Sequence, residues 1–178
     1  MIETIDNIIS KSHQDKLLDI VTDDSFDWHY LEDVTHEIAD ETRNNTPGFI
    51  NLLVNDNGKQ RSGKEHMFTA PLDEYLHRTN QKIVALHRMR LGFLLNNSTY
   101  DHNNKHVDYT FPHKVALYYL NHSDGDTVLW DNEEVTRVTP RKGRLCVFDG
   151  AIPHASSCPK EYSTRIVLTY NFNISEEK

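Results

Sequence analysis

The chain contains only two cysteines, Cys146 and Cys158. Cys146 sits in an apolar segment and Cys158 precedes a proline, so neither a disulfide framework nor a thiolate zinc site is available. Both are expected to be reduced thiols. No apolar run approaches the ~18 residues that a membrane-spanning helix needs. The segment Met1-Ile2-Glu3-Thr4-Ile5-Asp6 has neither a basic nor an apolar leader region, which makes cytoplasmic the expected location. Cationic excess is also missing: the formal net charge is −8. A duplex-binding protein gathers Lys and Arg on one face to displace counterions, and an acidic chain argues against nucleic acid as a partner. Arg137, Arg141, Lys142 and Arg144 lie close together and read best as solvated strand ends. Internal repeats and low-complexity linkers are absent too. What remains is 178 residues, 37% hydrophobic and 26% charged, enough for one well-buried domain spanning 1–178.

The chain changes character near residue 80. Residues 1–80 mix helical and irregular patterns and form an N-terminal support. Ser12-His13-Gln14-Asp15 reads as a helix start, with Leu17, Leu18 and Val21 on its buried side. Pro71 opens a second helix, with Leu72, Tyr75 and Leu76 at helical spacing. Between them Phe49 to Val54 reads as a strand leading to a turn at Asn57-Gly58. Residues 82–174 show a rhythm of short strands: Ile83–Leu95, Lys114–Leu120, Thr127–Trp130, Val135–Val138, Arg144–Phe148 and Arg165–Phe172. The turns Asp124-Gly125-Asp126, Asp131-Asn132, Lys142-Gly143 and Asp149-Gly150 separate them. Short strands around His106 and His154 bring the total to about eight. The expected fold is mainly β with flanking helices, around a double-stranded β-helix core (jelly-roll, cupin-like). An immunoglobulin-like sandwich has a similar rhythm.

Three His-x-Asp steps occur: His13-Gln14-Asp15, His106-Val107-Asp108 and His122-Ser123-Asp124. On a strand, residues i and i+2 point the same way, so one step supplies two ligands to a metal. On a helix the same residues diverge by ~200°, and His13 and Asp15 fall at a helix start. His122 and Asp124 fall in a polar turn. His106 and Asp108 precede an apolar strand and are placed to face a cavity. His154, directly after the Arg144–Asp149 segment, is the candidate third ligand. Arg165 opens the apolar strand Ile166-Val167-Leu168-Thr169-Tyr170. A guanidinium entering such a strand needs a partner, because burying it unpaired is expensive.

His106-x-Asp108, His154 and Arg165, in this order and spacing, resemble the Fe(II)- and 2-oxoglutarate-dependent oxygenases, prolyl-4-hydroxylase-like branch. Leu117-Tyr118-Tyr119-Leu120-Asn121 and Pro140-Arg141-Lys142-Gly143-Arg144 are similar to that family's strand and turn on either side of the site. The likeness covers roughly residues 83–173. It implies Fe(II) on His106, Asp108 and His154, with 2-oxoglutarate and O2 as cosubstrates. It also implies Arg165 and the hydroxyl of Tyr119 on the far carboxylate, and Val128 or Leu129 packing against the cosubstrate. Succinate and CO2 would be released as a substrate is hydroxylated. Prolyl hydroxylases carry a tyrosine on the strand before the His-x-Asp pair, and the matching position here is Met89. The loop Leu94–Lys105 also looks longer than usual.

A protein or peptide side chain is the favoured substrate, with prolyl among the options. A small molecule follows, and a flipped nucleobase stands third. Tyr100, His102, Tyr109, His113 and Trp130 are candidate rim residues. Asn103, Asn104, Thr110 and Ser156 are candidates to orient the histidines. The rival reading is a non-catalytic or other-metal cupin-like binding module.

Overall fold

A computed structural model describes residues 1–34, 46–55, 58, 63–97 and 99–175. Among the described residues ten strands and two helices follow one another as β1 (Ile2–Ile5), α1 (Lys11–Thr22), β2 (His29–Leu31), β3 (Gly48–Val54), α2 (Ala70–Arg78), β4 (Ile83–Leu95), β5 (Lys114–Tyr119), β6 (Thr127–Asp131), β7 (Glu134–Val138), β8 (Leu145–Asp149), β9 (His154–Ser156) and β10 (Thr164–Ile174), with a 3-10 turn at Glu65–Phe68 before α2. They form a seven-stranded sheet in the order β1-β8-β5-β10-β4-β3-β2 and a three-stranded sheet β7-β6-β9.

The pairing is nested, and this identifies the core. The hairpin β6–β7 is innermost; β5 pairs β8 around it, and β4 pairs β10 on the outside. His106 and His154 form an isolated antiparallel bridge at the remaining level. A long hairpin rolled up in this way is a double-stranded β-helix, or jelly roll. Seven strands and the His106 bridge give the eight segments anticipated. Each expected strand after residue 82 lies within two residues of its anticipated bounds.

Side-chain alternation divides each strand of the large sheet between two environments. Outward, Ile166, Leu168, Tyr170 and Phe172 of β10 join Ala116, Tyr118, Met89 and Leu91 in the main core, which Leu17 and Val21 of α1 and Leu72, Tyr75 and Leu76 of α2 close from outside. Inward, Val115, Leu117, Tyr119 and Val167 meet Leu129 of the small sheet in a second, smaller core. The Tyr170 hydroxyl, fully buried, donates to the Phe68 carbonyl at 2.5 Å and so secures the approach to α2.

Three features of the N-terminal region differ from the sequence expectation. Strands β1 and β2 were not anticipated; each is at an edge of the large sheet, and three or four residues carry too little alternation to be read. Helix α1 starts upstream of Ser12, capped by Ser10, whose Oγ accepts from the His13 N–H. Gln14 pins that start by donating to the Ile9 carbonyl at 2.9 Å, beside the buried Ile8 and Ile9. Of the turn expected at Asn57-Gly58, Asn57 lies outside the described residues, and Gly58 adopts a left-handed φ of 72°. The Lys142-Gly143 turn is present: Gly143 has φ 82°, and a Cβ there would strike the Gln14 amide. Among the described residues no helix is long and apolar enough to cross a membrane.

Both cysteines are free and buried, and burial pushes the Cys146 thiol up to about 12. Thiol-reagent titration at pH 8 is expected to find no fast-reacting group in the folded protein and two after denaturation. In the core, Leu168 is fully buried at the centre of β10. Leu168→Ala should lower unfolding free energy by about 2–5 kcal/mol with little change in the urea m-value.

Candidate metal centre

His106 and His154 meet because their backbones exchange both hydrogen bonds, His106 N–H to the His154 carbonyl at 2.9 Å and the reverse at 2.8 Å. Directly opposed residues in such a bridge project side chains to the same face, and the ring centroids are 4.7 Å apart. Asp108, two residues on, adds a carboxylate. His106 Nε2 lies 3.9 Å from Asp108 Oδ1, and His154 Nε2 lies 3.9 Å from Oδ2. One donor atom from each of the three falls within 4.8 Å of the others.

Hydrogen bonding sets the state of each group. His106 Nδ1 faces the Asn104 carbonyl at 2.9 Å, and His154 Nδ1 faces the Ile152 carbonyl at 3.1 Å. A carbonyl only accepts, so each Nδ1 carries a proton and each Nε2 is the ring nitrogen turned toward Asp108. Burial pushes His154 down to about 4 despite the opposing pull of Asp108, which keeps it neutral at pH 7. Burial alone would raise Asp108; the adjacent Arg88 cation and the Asn171 hydrogen bond outweigh it and hold the carboxyl well below the usual carboxylate range. Two imidazole Nε2 atoms and one ionised carboxylate facing a common point are the donor set of a two-histidine, one-carboxylate metal site. The residues fit such an ion.

Asp108 is held by groups that the sequence reading did not single out. Arg88 Nη2 approaches Oδ1 at 2.6 Å, and Asn171 Nδ2 donates to Oδ2 at 2.7 Å. A signal existed: Arg88 and Arg90 are two cations, two residues apart, in an apolar strand, the same anomaly that drew attention to Arg165. Met89, the position matched to the prolyl-hydroxylase tyrosine, faces the helix-covered core and is 1% exposed. Alternation gives the pocket side of β4 to Arg88, Arg90, Gly92 and Leu94 instead.

One pocket joins the triad to Arg165, which is 3% exposed. Arg165 Nε donates to the Gly125 carbonyl at 2.8 Å and Nη2 to Thr127 Oγ1 at 2.9 Å. Its guanidinium carbon lies 5.7 Å from the centre of the Tyr119 ring, and the Tyr119 hydroxyl is 2.7 Å from Thr127 Oγ1. No described carboxylate is within ion-pair distance of this buried cation. Thr127 and Arg165 border the pocket, with Leu117 and Val167 as its apolar wall on β5 and β10. Tyr119 and Leu129 pack behind that wall and are fully buried; Val128 pairs in register with Ala155 and points away from it. Gly92, opposite Val167 in mid-strand, leaves the pocket floor open.

The remaining candidates are placed elsewhere. Asp15 pairs with Lys142 at 2.6 Å, and Asp124 accepts the N–H groups of Lys160, Glu161 and Tyr162, so both other His-x-Asp steps are structural. Tyr100, His102, Tyr109, His113 and Trp130 do not border the pocket. His102 packs edge-on against Trp130, and Tyr109 stacks on Phe111. Asn103 ties Thr46 to Ser156 beside His154, and Asn104 contributes its carbonyl to His106.

No protein-family model matches the sequence, and no curated protein matches it. Solved structures do. A prolyl hydroxylase from Trichoplax adhaerens, in complex with a hypoxia inducible factor oxygen degradation domain peptide fragment, superposes with TM-score 0.70 at 17% identity, over 96% of this chain and 82% of that one. A 2OG-Fe(II) oxygenase family oxidoreductase from Burkholderia pseudomallei gives 0.74 at 10% identity, over 97% and 84%. HygX from Streptomyces hygroscopicus, with nickel and 2-oxoglutarate bound, gives 0.61 at 12% identity, over 97% and 82%. The chain therefore has the fold of the 2-oxoglutarate-dependent Fe(II) oxygenases, prolyl hydroxylases among them.

Asp108→Asn removes the counter-charge that the buried Arg88 faces and should lower stability in the presence of chelator by about 3–5 kcal/mol. The depressed pKa gives the sign of the pH effect. The carboxylate's contribution is complete above its unfolded pKa of about 4 and is lost as pH falls toward the lower folded value. Urea unfolding from pH 7 to 3 should show that acid-labile portion in the wild type and not in Asp108→Asn.

Proposed function

We propose that this protein is a dioxygenase that binds Fe(II) through His106, Asp108 and His154 and uses 2-oxoglutarate and O2 to hydroxylate its substrate, releasing succinate and CO2. One observation carries the reading: a pocket with three convergent potential metal-ligating atoms at one end has a buried arginine, with no described carboxylate within ion-pair distance, at the other. A metal site alone fits many proteins; a metal site facing a buried cation fits a ligand that chelates metal at one end and is anionic at the other. The nickel and 2-oxoglutarate in HygX, which shares the fold, support the same choice.

Fe(II) with 2-oxoglutarate supplies the activation of O2 for attack on a C–H bond; the protein's contribution is positional. Arg165 holds the far carboxylate by a charge-assisted pair, and Thr127, already accepting from Arg165, fixes the guanidinium plane. Tyr119 supports Thr127 from behind the wall, so its hydroxyl reaches the carboxylate through a neighbour rather than by lining the pocket. Leu117 and Val167 exclude water along the length of the cosubstrate. The Asn104 and Ile152 carbonyls hold both Nδ1 atoms, so that both Nε2 atoms would be free to ligate the metal. The substrate is a protein or peptide side chain, as the peptide bound to the Trichoplax prolyl hydroxylase suggests, with a small molecule as the other class. Arg88 and Arg90 are on the pocket face of β4, where a substrate would approach.

Anaerobic addition of Fe(II) and then 2-oxoglutarate should produce the weak visible charge-transfer band of an iron–keto-acid chelate, absent in His106→Ala. Iron uptake without the band would favour a binding module or another metal. Arg165→Ala should bind metal as the wild type does and lose about 2–5 kcal/mol of 2-oxoglutarate binding, roughly 30-fold or more. Unchanged cosubstrate affinity in that variant, by calorimetric titration of the metal-loaded protein, would remove Arg165 from the site.

A further inference from the structure

Arg88 and Asn171 stand opposite each other in the β4–β10 register, and with Asp108 they close a ring of three buried side chains. Arg88 Nη2 contacts Asp108 Oδ1 at 2.6 Å; Asn171 Nδ2 donates to Asp108 Oδ2 at 2.7 Å; Arg88 Nε donates to Asn171 Oδ1 at 3.0 Å. Arg88 is 6% exposed and Asn171 is fully buried. The Tyr109 ring, next in sequence to Asp108, lies 5.4 Å from the guanidinium carbon. Each carboxylate oxygen thus has one donor on the sheet side and one imidazole Nε2, at 3.9 Å, on the other.

Stability does not explain this ring. A buried ion pair is a weak stabilising device, and apolar residues of similar volume often serve as well or better. Orientation does explain it. The terminal torsion of an aspartate is broad, so a single short stem leaves the carboxylate plane poorly defined. Donors from two adjacent strands, one on each oxygen and bonded to each other, remove that freedom. A planar guanidinium suits the task, since two of its nitrogens bond two acceptors in one fixed fork.

We propose that Arg88, braced by Asn171, is the positioning residue of the metal centre: it sets the plane of the Asp108 carboxylate and with it the geometry and affinity of metal ligation. This rests on reading the triad as a metal centre. The test uses Co(II), whose visible spectrum reports coordination geometry, added without cosubstrate to wild type, Arg88→Met, Arg88→Lys and Asn171→Ala. Calorimetry should show Co(II) affinity about 10–100-fold weaker in Arg88→Met, with an altered visible spectrum. Arg88→Lys keeps the charge but not the fork, so the altered spectrum should persist. Asn171→Ala, which spares the ion pair, should shift both readouts in the same direction by less, and serves where Arg88→Met does not fold. Wild-type affinity and spectrum in folded variants would overturn the proposal while leaving the metal centre standing. Failure of the wild type to take up Co(II) would overturn both.

Discussion

Alternation along β10 is the constraint on which the rest of this protein depends. Eleven residues, Thr164–Ile174, pair with β4 on one side, and the central Val167–Phe172 pair also with β5 on the other, so the middle of the strand cannot rotate without breaking ladders on both edges. Ile166, Leu168, Tyr170 and Phe172 are thereby committed to the helix-covered core, and Arg165, Val167, Thr169 and Asn171 to the interior of the jelly roll. A slip of one residue would put an arginine into the main core and expel four large apolar groups. The hydrophobic face specifies the register, and the register delivers the polar face. The buried Arg165, the Val167 pocket wall and the Asn171 contact to Asp108 are three consequences of one strand's placement.

The electrostatics of the interior follow from that placement. Arg88 neutralises Asp108 at close range, and His154 stays uncharged because burial disfavours its protonated form. Arg165 sits at the other end of the pocket, bonded to a carbonyl and a hydroxyl, partners that orient a guanidinium without neutralising it. The pocket therefore has a polarity: an end with the His106, Asp108 and His154 donor atoms, where Arg88 balances the carboxylate, and an end where Arg165 has no described carboxylate within ion-pair distance. A dicarboxylic keto acid matches both ends at once.

The N-terminal region contributes more than cover. β1 extends the large sheet beyond β8, while β3 and β2 extend it beyond β4. β3 pairs with the part of β4 that carries Arg90 and Gly92 and so helps to hold the pocket wall flat against β10. The helices seal the outer face, which for Leu168, Tyr170 and Phe172 is the difference between a half-exposed sheet and a closed core.

The strand rhythm after residue 82, the helices around Leu17 and Tyr75, and the ligating potential of His106, Asp108, His154 and Arg165 were legible because each depends on local pattern. Period-two alternation, capping residues, turn glycines and a charge inside an apolar strand declare themselves within a few positions. Strands β1 and β2 were not legible, since a three- or four-residue edge strand is created by the backbone groups its neighbour offers rather than by its own side chains. Nor was the choice of Arg88 over Met89 as the residue facing the site, because which face of β4 turns inward depends on its pairing with β10. The Arg88–Asn171–Asp108 ring and the positions of Tyr119 and Leu129 behind the pocket wall likewise exist only once distant segments are in register. Sequence alone set which chemical groups this protein has and the periods at which they recur; the tertiary structure decided which of them meet, because contact between strands far apart in the chain is settled by burial and pairing across the whole sheet.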